Sequence, residues 1–245
     1  MPTTPYYRRD LALVHHRGFG FHADACASGI LDLLEPVRKR DGVVLEVGCG
    51  SGLLTRLLLD AGHRVVATDA SPAMVDLAAD YASGAEDVLV LALPDDDLPQ
   101  ADAIVSTGHA LSYLDDEAQI HRSLLKIGDA LRPGGLFALD ICDLDWGRAR
   151  VDAPAMGRVG DDWAIITRFS MPSEDRFVRD MTVFLRDDDG TWRRDDEHHE
   201  NVLIDTSRIP DLFEGRNVDV VVRNSFGTEK LPTGLHVIVG QKAPR

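Results

Sequence analysis

The sequence predicts an α/β fold in which a doubly wound parallel sheet carries a small antiparallel β insertion. Between residues 43 and 141, short and almost continuous apolar segments alternate with segments of helical periodicity. This alternation is typical of a parallel sheet that is covered by helices on both faces. After residue 160 the pattern changes to longer alternating segments joined by turns, which is typical of antiparallel strands. Ligands of doubly wound sheets bind at the carboxyl ends of the strands.

The predicted elements of the core follow one another in a regular order. Residues 11–40 have a helical pattern that precedes the first strand. Ser71 and Pro72 are suited to the cap and first turn of a helix, and residues 132–135 (RPGG) are suited to ending one. The predicted strands lie at 43–48, 64–69, 88–93, 101–107 and 136–141, and the predicted helices lie at 53–62, 72–81 and 117–131.

The second half of the chain is predicted to form the insertion and the end of the main sheet. Three antiparallel strands are expected, followed by a short helix and a terminal hairpin added to the main sheet; they lie at 162–171, 176–187, 191–204, 207–214, 218–223 and 235–241. The sequence thus divides into a helical cap (1–40), an α/β core (41–145), a β insertion or lid (146–204), and a C-terminal helix and hairpin (205–245).

The composition favours a small-molecule ligand. The 26 basic and 41 acidic residues give a net charge of −15, which disfavours nucleic acid and anionic membranes as partners. No apolar run reaches the ~20 residues of a membrane helix, and the first ten residues lack the apolar core of a secretion signal. The three cysteines show no Cys-x-x-Cys spacing, so neither disulfides nor a metal site are expected. We expect a cytoplasmic monomer or homodimer.

Three alternating glycines follow the first predicted strand, in the stretch VVLEVGCGSG. Glu46 precedes Gly48, Gly50 and Gly52, which let the backbone turn sharply and approach a ligand closely. The next helix offers unpaired N–H groups at its start. The dinucleotide fingerprint G-x-G-x-x-G needs a third glycine where this chain has leucine or threonine. A nicotinamide-dependent oxidoreductase is therefore the less favoured alternative.

The order E-x-G-x-G-x-G, followed by Asp69 at the end of the second strand, resembles the class I S-adenosylmethionine-dependent methyltransferases. The resemblance covers residues 40–145 and includes the stretches 71–78 (SPAMVDLA), 106–114 (STGHALSYL) and 131–135 (LRPGG). It implies a seven-stranded Rossmann-like sheet and S-adenosylmethionine as the cofactor, with S-adenosylhomocysteine as the product.

The resemblance also implies roles for individual residues. Asp69 would hold both ribose hydroxyls, and Glu46 would orient the loop or contact the cofactor ammonium group through water. The adenine amino group would meet either the backbone of Leu93 or the carboxylate of Asp95. The remaining implied cofactor residues are Gly48, Cys49, Gly50, Gly52, Ala70, Met74, Thr107 and Gly108.

The segment before the first strand is rich in aromatic and basic residues. In related enzymes this segment often folds over the cofactor. Tyr7 and Phe19 are therefore candidates for the wall of the site, and His15 or Arg17 for a position near the cofactor carboxylate.

Histidines are the candidate general bases for the methyl acceptor. His109 follows the fourth strand, where the ligand is expected, and it could instead pack the loop or contact the cofactor. His198 and His199 lie on a predicted strand and point to opposite faces, so at most one enters a pocket; an exposed acidic strand is the alternative. We expect methyl transfer to an oxygen or nitrogen of a small molecule, such as a sugar or secondary metabolite, that is neutral or cationic. A non-catalytic module that binds the same cofactor is the alternative.

Overall fold

The computed structural model of the protein describes residues 6–244, and its central element is a seven-stranded sheet. Residues 1–5 and 245, which belong to the predicted cap and C-terminal segment, lie outside the described residues. The strands are β1 (Val43–Val47), β2 (Arg64–Asp69), β3 (Asp87–Val90), β4 (Ala101–Ser106), β5 (Leu131–Cys142), β6 (Met156–Val159), β7 (Trp163–Ser173), β8 (Arg176–Arg186), β9 (Trp192–Val202), β10 (Val218–Arg223) and β11 (Leu235–Lys242).

The predicted doubly wound sheet with an inserted antiparallel sheet is confirmed. The central sheet has the order β10-β11-β5-β4-β1-β2-β3. Strands β1 to β5 are parallel, whereas β11 runs antiparallel to both β5 and β10. The terminal hairpin therefore extends the main sheet, as its two alternating segments predict.

Helices cover both faces of this sheet. They are α1 (Arg9–Gly18), α2 (Phe21–Lys39), α3 (Leu53–Asp60), α4 (Pro72–Tyr81), α5 (Glu117–Ala130) and α6 (Leu144–Arg148). On β1, Val44 packs with Leu54 and Leu58 of α3 on one face, whereas Leu45 faces the cluster that contains Ile120 of α5. Because successive strand residues point to opposite faces, burial on both sides explains the continuous apolar sequence of this strand. None of the helices within residues 6–244 combines the length and apolarity needed to cross a bilayer.

Several predicted boundaries are wrong. The predicted helix at 11–40 is two helices, because the chain turns at Phe19 and Gly20. Strand β3 ends at Val90 rather than at residue 93; it is a short, largely exposed edge strand. Strand β5 begins at Leu131, which pairs with Ala101 before an irregularity in the register, so the RPGG stretch belongs to the strand. The predicted helix at 207–214 is a pair of 3-10 turns, Thr206–Arg208 and Pro210–Phe213.

The inserted sheet has four strands in the order β6-β7-β8-β9, all antiparallel. The sequence predicts only three of them, because the four residues of β6 are all exposed and show no alternation of apolar and polar positions. Along β8, Arg179 pairs with His199 of β9, and Met181 pairs with Glu197. The face of this sheet that carries these four side chains lies toward the carboxyl edge of the central sheet, as the contacts of Glu197 and His199 described below show.

Candidate active site

A cavity of about 470 Å³ opens at the carboxyl ends of β1, β2 and β4. This is the edge at which a doubly wound sheet binds its ligands. Ten residues predicted to bind a cofactor line the cavity: Tyr7, His15, Gly48, Gly50, Asp69, Ala70, Met74, Leu93, Thr107 and Gly108. Tyr6, Ser71, Leu91, Tyr113 and Asp115 are among its further lining residues.

Asp69 ties the glycine loop to the end of β2. One carboxylate oxygen accepts a hydrogen bond from the Gly50 N–H at 2.8 Å, and the other accepts one from the Ser71 N–H at 2.8 Å. Burial raises the pKa of Asp69, although the hydrogen bonds from Ser71 and Gly50 oppose this shift. Each oxygen of an ionised carboxylate can accept a second hydrogen bond. Asp69 can therefore hold two hydroxyl groups of a ligand while it keeps the loop in place.

The loop leaves room for a ligand at Gly50. A side chain built on Gly50 would meet no atom within 4 Å, whereas one on Gly48 would meet the Ala110 Cβ at 2.4 Å. The open side of Gly50 lies in the cavity beside Asp69. The observed residues thus fit the nucleoside end of S-adenosylmethionine, with bare backbone on one side and a carboxylate on the other.

The far side of the cavity is formed by the chain that follows β3. Leu91, Leu93 and Asp95 all line the cavity together with Met74 of α4. The Leu91 N–H donates to the Asp69 carbonyl oxygen at 3.0 Å, which holds this chain beside β2. Both alternatives for the adenine contact, the Leu93 backbone and the Asp95 carboxylate, therefore remain compatible with the structure.

Glu46 lies beneath the glycine loop and not in the cavity lining. Its side chain is fully buried, and one carboxylate oxygen accepts a hydrogen bond from the Thr55 hydroxyl at 2.6 Å. Burial raises the pKa of Glu46 to about 8, although the Thr55 hydrogen bond lowers it. We therefore expect Glu46 to be protonated near neutral pH. Its hydrogen bond to Thr55 then fixes the start of the loop against α3.

We expect Glu46→Gln to flatten the pH dependence of stability. The folded-state pKa of about 8 lies above the ordinary value of 4.5, so the stabilising contribution is full below pH 4.5 and is lost as pH rises through 8. At about 1.4 kcal/mol for each pKa unit, the wild type should lose a few kcal/mol between pH 5 and pH 9. Urea unfolding across this range measures the loss, and equal pH profiles for the two proteins would contradict it.

Asp140 fixes the loop that follows β4. This buried carboxylate accepts hydrogen bonds from the Gly108 N–H at 3.1 Å and the His109 N–H at 2.6 Å. It also pairs with the His22 Nε2 at 2.7 Å. Burial lowers the pKa of His22, but the bond to Asp140 outweighs this and raises it to about 10, so His22 is a cation here. Asp140 lies inside an apolar predicted strand, and no local pattern marks it as part of the site.

His109 points away from the cavity lining. Its backbone adopts a left-handed conformation with φ of +51°, and its ring stacks on Tyr113 with centroids 5.7 Å apart. Burial and the nearby Arg179 charge lower its pKa well below the ordinary value. The structure thus places His109 behind Tyr113 as a neutral packed ring.

The N-terminal segment folds over the cavity and is held by Glu197. The Tyr7 and Arg8 N–H groups donate to the two Glu197 carboxylate oxygens at 2.9 and 2.8 Å. The Ser71 hydroxyl donates to the Tyr7 carbonyl oxygen at 2.8 Å. The segment therefore joins the inserted sheet to the helix that follows Asp69, and it closes one side of the cavity with the Tyr7 ring.

We expect Glu197→Gln to loosen this segment. The neutral amide keeps a single acceptor oxygen, so it cannot serve both N–H groups as the carboxylate does. Hydrogen exchange of Tyr7 and Arg8 should quicken by roughly tenfold for about 1.4 kcal/mol of lost stabilisation. Glu200→Gln, at a half-buried position paired with Arg176, is the matched control. Unchanged protection at residues 7 and 8 would show that the segment is held by other contacts.

His198 and His199 point to opposite faces of β9, as alternation predicts. His198 is exposed and pairs with Asp180 at 2.8 Å, whereas His199 is fully buried. The His199 ring lies 4.8 Å from the Tyr7 ring and 5.5 Å from the Tyr113 ring, both in the cavity wall. Of the two, only His199 packs against residues that line the cavity.

Four further predicted residues, besides Glu46 and the histidines described above, lie outside the cavity lining. Phe19 stacks behind His15 and packs with Trp163, because α1 ends there and the chain turns toward α2. Cys49 points into an apolar cluster between β2 and α4. Gly52 is the N-cap residue that precedes α3, where a side chain would meet the backbone of α4 at Ala78. Arg17 pairs with Asp162 at the protein surface.

Comparison with known proteins matches the central part of the chain to a family model. A family model described as "Methyltransferase domain" matches residues 45–137. An uncharacterized methyltransferase, YrrT of Bacillus subtilis (strain 168), is 45% identical over 91 residues, which make up 36% of this chain and 41% of that protein. The chain thus matches about two fifths of the length of this relative.

Solved structures share the fold over almost the whole chain. A methyltransferase from Clostridium acetobutylicum ATCC 824, described as S-adenosylmethionine-dependent, superposes with a TM-score of 0.77 at 16% identity and covers 95% of this chain and 97% of its own. CalS10, an amino pentose methyltransferase of Micromonospora echinaspora, superposes with a TM-score of 0.72 at 19% identity and covers 98% and 99%.

The central sheet has a Rossmann-like fold, and its parallel strands, β1 to β5, lie largely in the region that the methyltransferase-domain model matches. The matched residues include the glycine loop after β1 and Asp69 at the end of β2. Residues 45–137 match the methyltransferase-domain model, and the chain as a whole shares the fold of a methyltransferase described as S-adenosylmethionine-dependent.

Proposed function

We propose that this protein transfers the methyl group of S-adenosylmethionine to a nitrogen or oxygen of a small molecule. The observation that carries the proposal is the pairing of Asp69 with the open backbone at Gly50 on the cavity floor. Asp69, Gly48 and Gly50 would hold the nucleoside, and the chain after β3 would cover the adenine. Thr107 and Gly108, on the loop fixed by Asp140, would lie at the methionine end.

When bound, the cofactor supplies an electrophilic methyl group: the acceptor lone pair forms the new bond to carbon, and the carbon–sulfur electron pair stays on sulfur. The protein aligns the acceptor and removes its proton where one must leave. Tyr6, Tyr7 and Tyr113 would form the aromatic wall on the acceptor side of the cavity. The inserted sheet would exclude water from that side.

His199 is the residue that we propose as the general base. Its Nε2 lies 2.8 Å from a Glu197 carboxylate oxygen, which can only accept, so Nε2 carries the proton. The buried Nδ1 has no hydrogen-bond partner among the described residues and keeps its lone pair. Burial lowers the pKa of His199, the Glu197 bond opposes the shift, and the Arg179 charge adds to it. His199 therefore stays neutral, and able to accept a proton, below the ordinary value of 6.5.

We expect His199→Ala to lower kcat by about 100-fold, the lower end of what general base catalysis contributes. Cofactor affinity should not change. In the wild type, kcat/KM should fall with decreasing pH only below pH 6.5, where His199 becomes protonated. This fall should be absent from the His199→Ala variant. His198→Ala, which alters an exposed ring on the same strand, should keep full turnover. Full turnover of His199→Ala would show that His199 is not the general base and that alignment of acceptor and cofactor is sufficient.

The direct test of the function has two parts. Calorimetry with S-adenosylmethionine measures cofactor binding, and formation of S-adenosylhomocysteine with candidate acceptors measures transfer. The fold shared with an amino pentose methyltransferase supports sugar amines as the first acceptors to try. Binding without transfer to any acceptor would favour the non-catalytic module, and absence of binding would refute the proposal.

A further inference from the structure

A cluster of buried polar side chains lies around and beside the Tyr113 ring. Within residues 6–244, ten buried side-chain nitrogen and oxygen atoms have no hydrogen-bond partner, and seven of them belong to this one cluster. The six residues that carry them, the Tyr113 cluster, are His15, His109, Trp146, Arg179, His199 and Asn201. Buried polar groups in native proteins are nearly always hydrogen-bonded, so their concentration in one place points to a polar ligand.

The cluster adjoins the cofactor cavity and is built from two walls. Arg179 and His199 are register partners on β8 and β9, and Asn201 follows two residues later, so alternation places all three on one face. The opposite wall is the loop after β4, where the His109 ring stacks on Tyr113. Because Tyr113 also lines the cavity, a molecule in the cluster would lie directly beside the cofactor.

Arg179 gives this cluster an uncompensated positive charge. Its guanidinium donates to the Tyr113 hydroxyl, and no carboxylate of residues 6–244 lies within 4.0 Å of it. Its Nε is buried and has no partner. Burial raises the pKa of Tyr113 well above its usual value, so the phenol is neutral and does not balance the charge. A guanidinium is always charged, is costly to bury unpaired, and matches the two oxygens of a carboxylate or phosphate.

We propose that the methyl acceptor binds in the Tyr113 cluster and carries a carboxylate or phosphate group that pairs with Arg179. This inference rests on the proposed function and narrows its substrate class. It replaces the sequence-based expectation of a neutral or cationic acceptor. That expectation came from the net charge of −15, which averages the whole chain, whereas the charge at the acceptor site is set by Arg179.

Matched pairs of acidic and neutral probes test the proposal by their binding alone. Protein loaded with S-adenosylhomocysteine is titrated calorimetrically with glucosamine 6-phosphate against glucosamine, and with anthranilate against aniline. We expect the acidic member of at least one pair to bind at least tenfold more tightly than its neutral partner. The two pairs distinguish a phosphate from a carboxylate as the preferred group.

Three variants assign the preference to Arg179. Arg179→Gln should abolish it, and Arg179→Lys should keep part of it, because lysine keeps the charge without the planar pair of donors. Arg168→Gln is the matched control, since Arg168 is an exposed arginine of the adjacent strand β7. Thermal melts confirm that each variant is folded.

The proposal is overturned if acidic and neutral probes bind alike, if no probe binds, or if Arg179→Gln keeps the preference. The affinity of each protein for S-adenosylmethionine is measured separately. Absence of that affinity in the wild type would refute the proposed function, whereas normal cofactor binding without an acid preference would refute this inference alone.

Discussion

Replacing Asp69 by alanine should weaken the binding of S-adenosylmethionine by 100-fold or more. Hydrogen bonds to a charged group contribute about 1.5–3 kcal/mol each, and Asp69 can accept two from a ribose. The variant also loses the hydrogen bonds that hold the Gly50 and Ser71 N–H groups. Calorimetry measures the effect directly.

The matched control for this variant is Asp60→Ala. Asp60 is an exposed carboxylate at the end of α3 that pairs with Arg56, and its loss should leave the cofactor Kd unchanged. A Kd for Asp69→Ala within threefold of the wild type would place the nucleoside elsewhere.

Replacing Gly48 by alanine should destabilise the protein far more than the same change at Gly50. Both residues have positive φ, +68° and +55°, so both variants carry a backbone strain of roughly 1–3 kcal/mol. Only at Gly48 does the new methyl group collide, with the Ala110 Cβ at 2.4 Å, and overpacking adds about 1–3 kcal/mol. Urea unfolding should show this difference.

Two further measurements separate packing from ligand binding at these glycines. The double variant Gly48→Ala/Ala110→Gly should regain the overpacking part of the lost stability. Gly50→Ala should remain folded and yet bind S-adenosylmethionine poorly, because its methyl group enters the cavity. Normal cofactor affinity of Gly50→Ala would contradict our placement of the cofactor on this loop.

The parts of the fold that the sequence predicts well are those whose burial is complete and local. Strands such as β1 are buried on both faces, and their sequences are therefore almost continuously apolar. Strand β6 escapes prediction because its residues are exposed and owe their conformation to pairing with β7. The break between α1 and α2 is not predicted, because both helices bury apolar faces and only the two glycines Gly18 and Gly20 mark the junction.

The same distinction separates the site residues that the sequence predicts from those that it does not. Gly48, Gly50 and Asp69 lie within one local motif of a strand, a loop and the next strand, so their spacing alone brings them together. Arg179 and Asp140 carry no local signal, because they reach the site only through the pairing of β8 with β9 and of β4 with β5. Their positions depend on tertiary structure. The alternating EHHE stretch comes nearest to a signal, since it places Glu197 and His199 on one face.

The region matched by the methyltransferase family model ends at residue 137. The glycine loop and Asp69 fall inside this region, whereas Tyr7, Arg179 and His199 fall outside it. In the proposed function, the nucleoside therefore binds to the part of the chain that the family model matches, and the acceptor binds to parts that it does not match. On this proposal, exchanging the first twenty residues and the β6–β9 sheet between two methyltransferases of this fold should exchange their choice of acceptor.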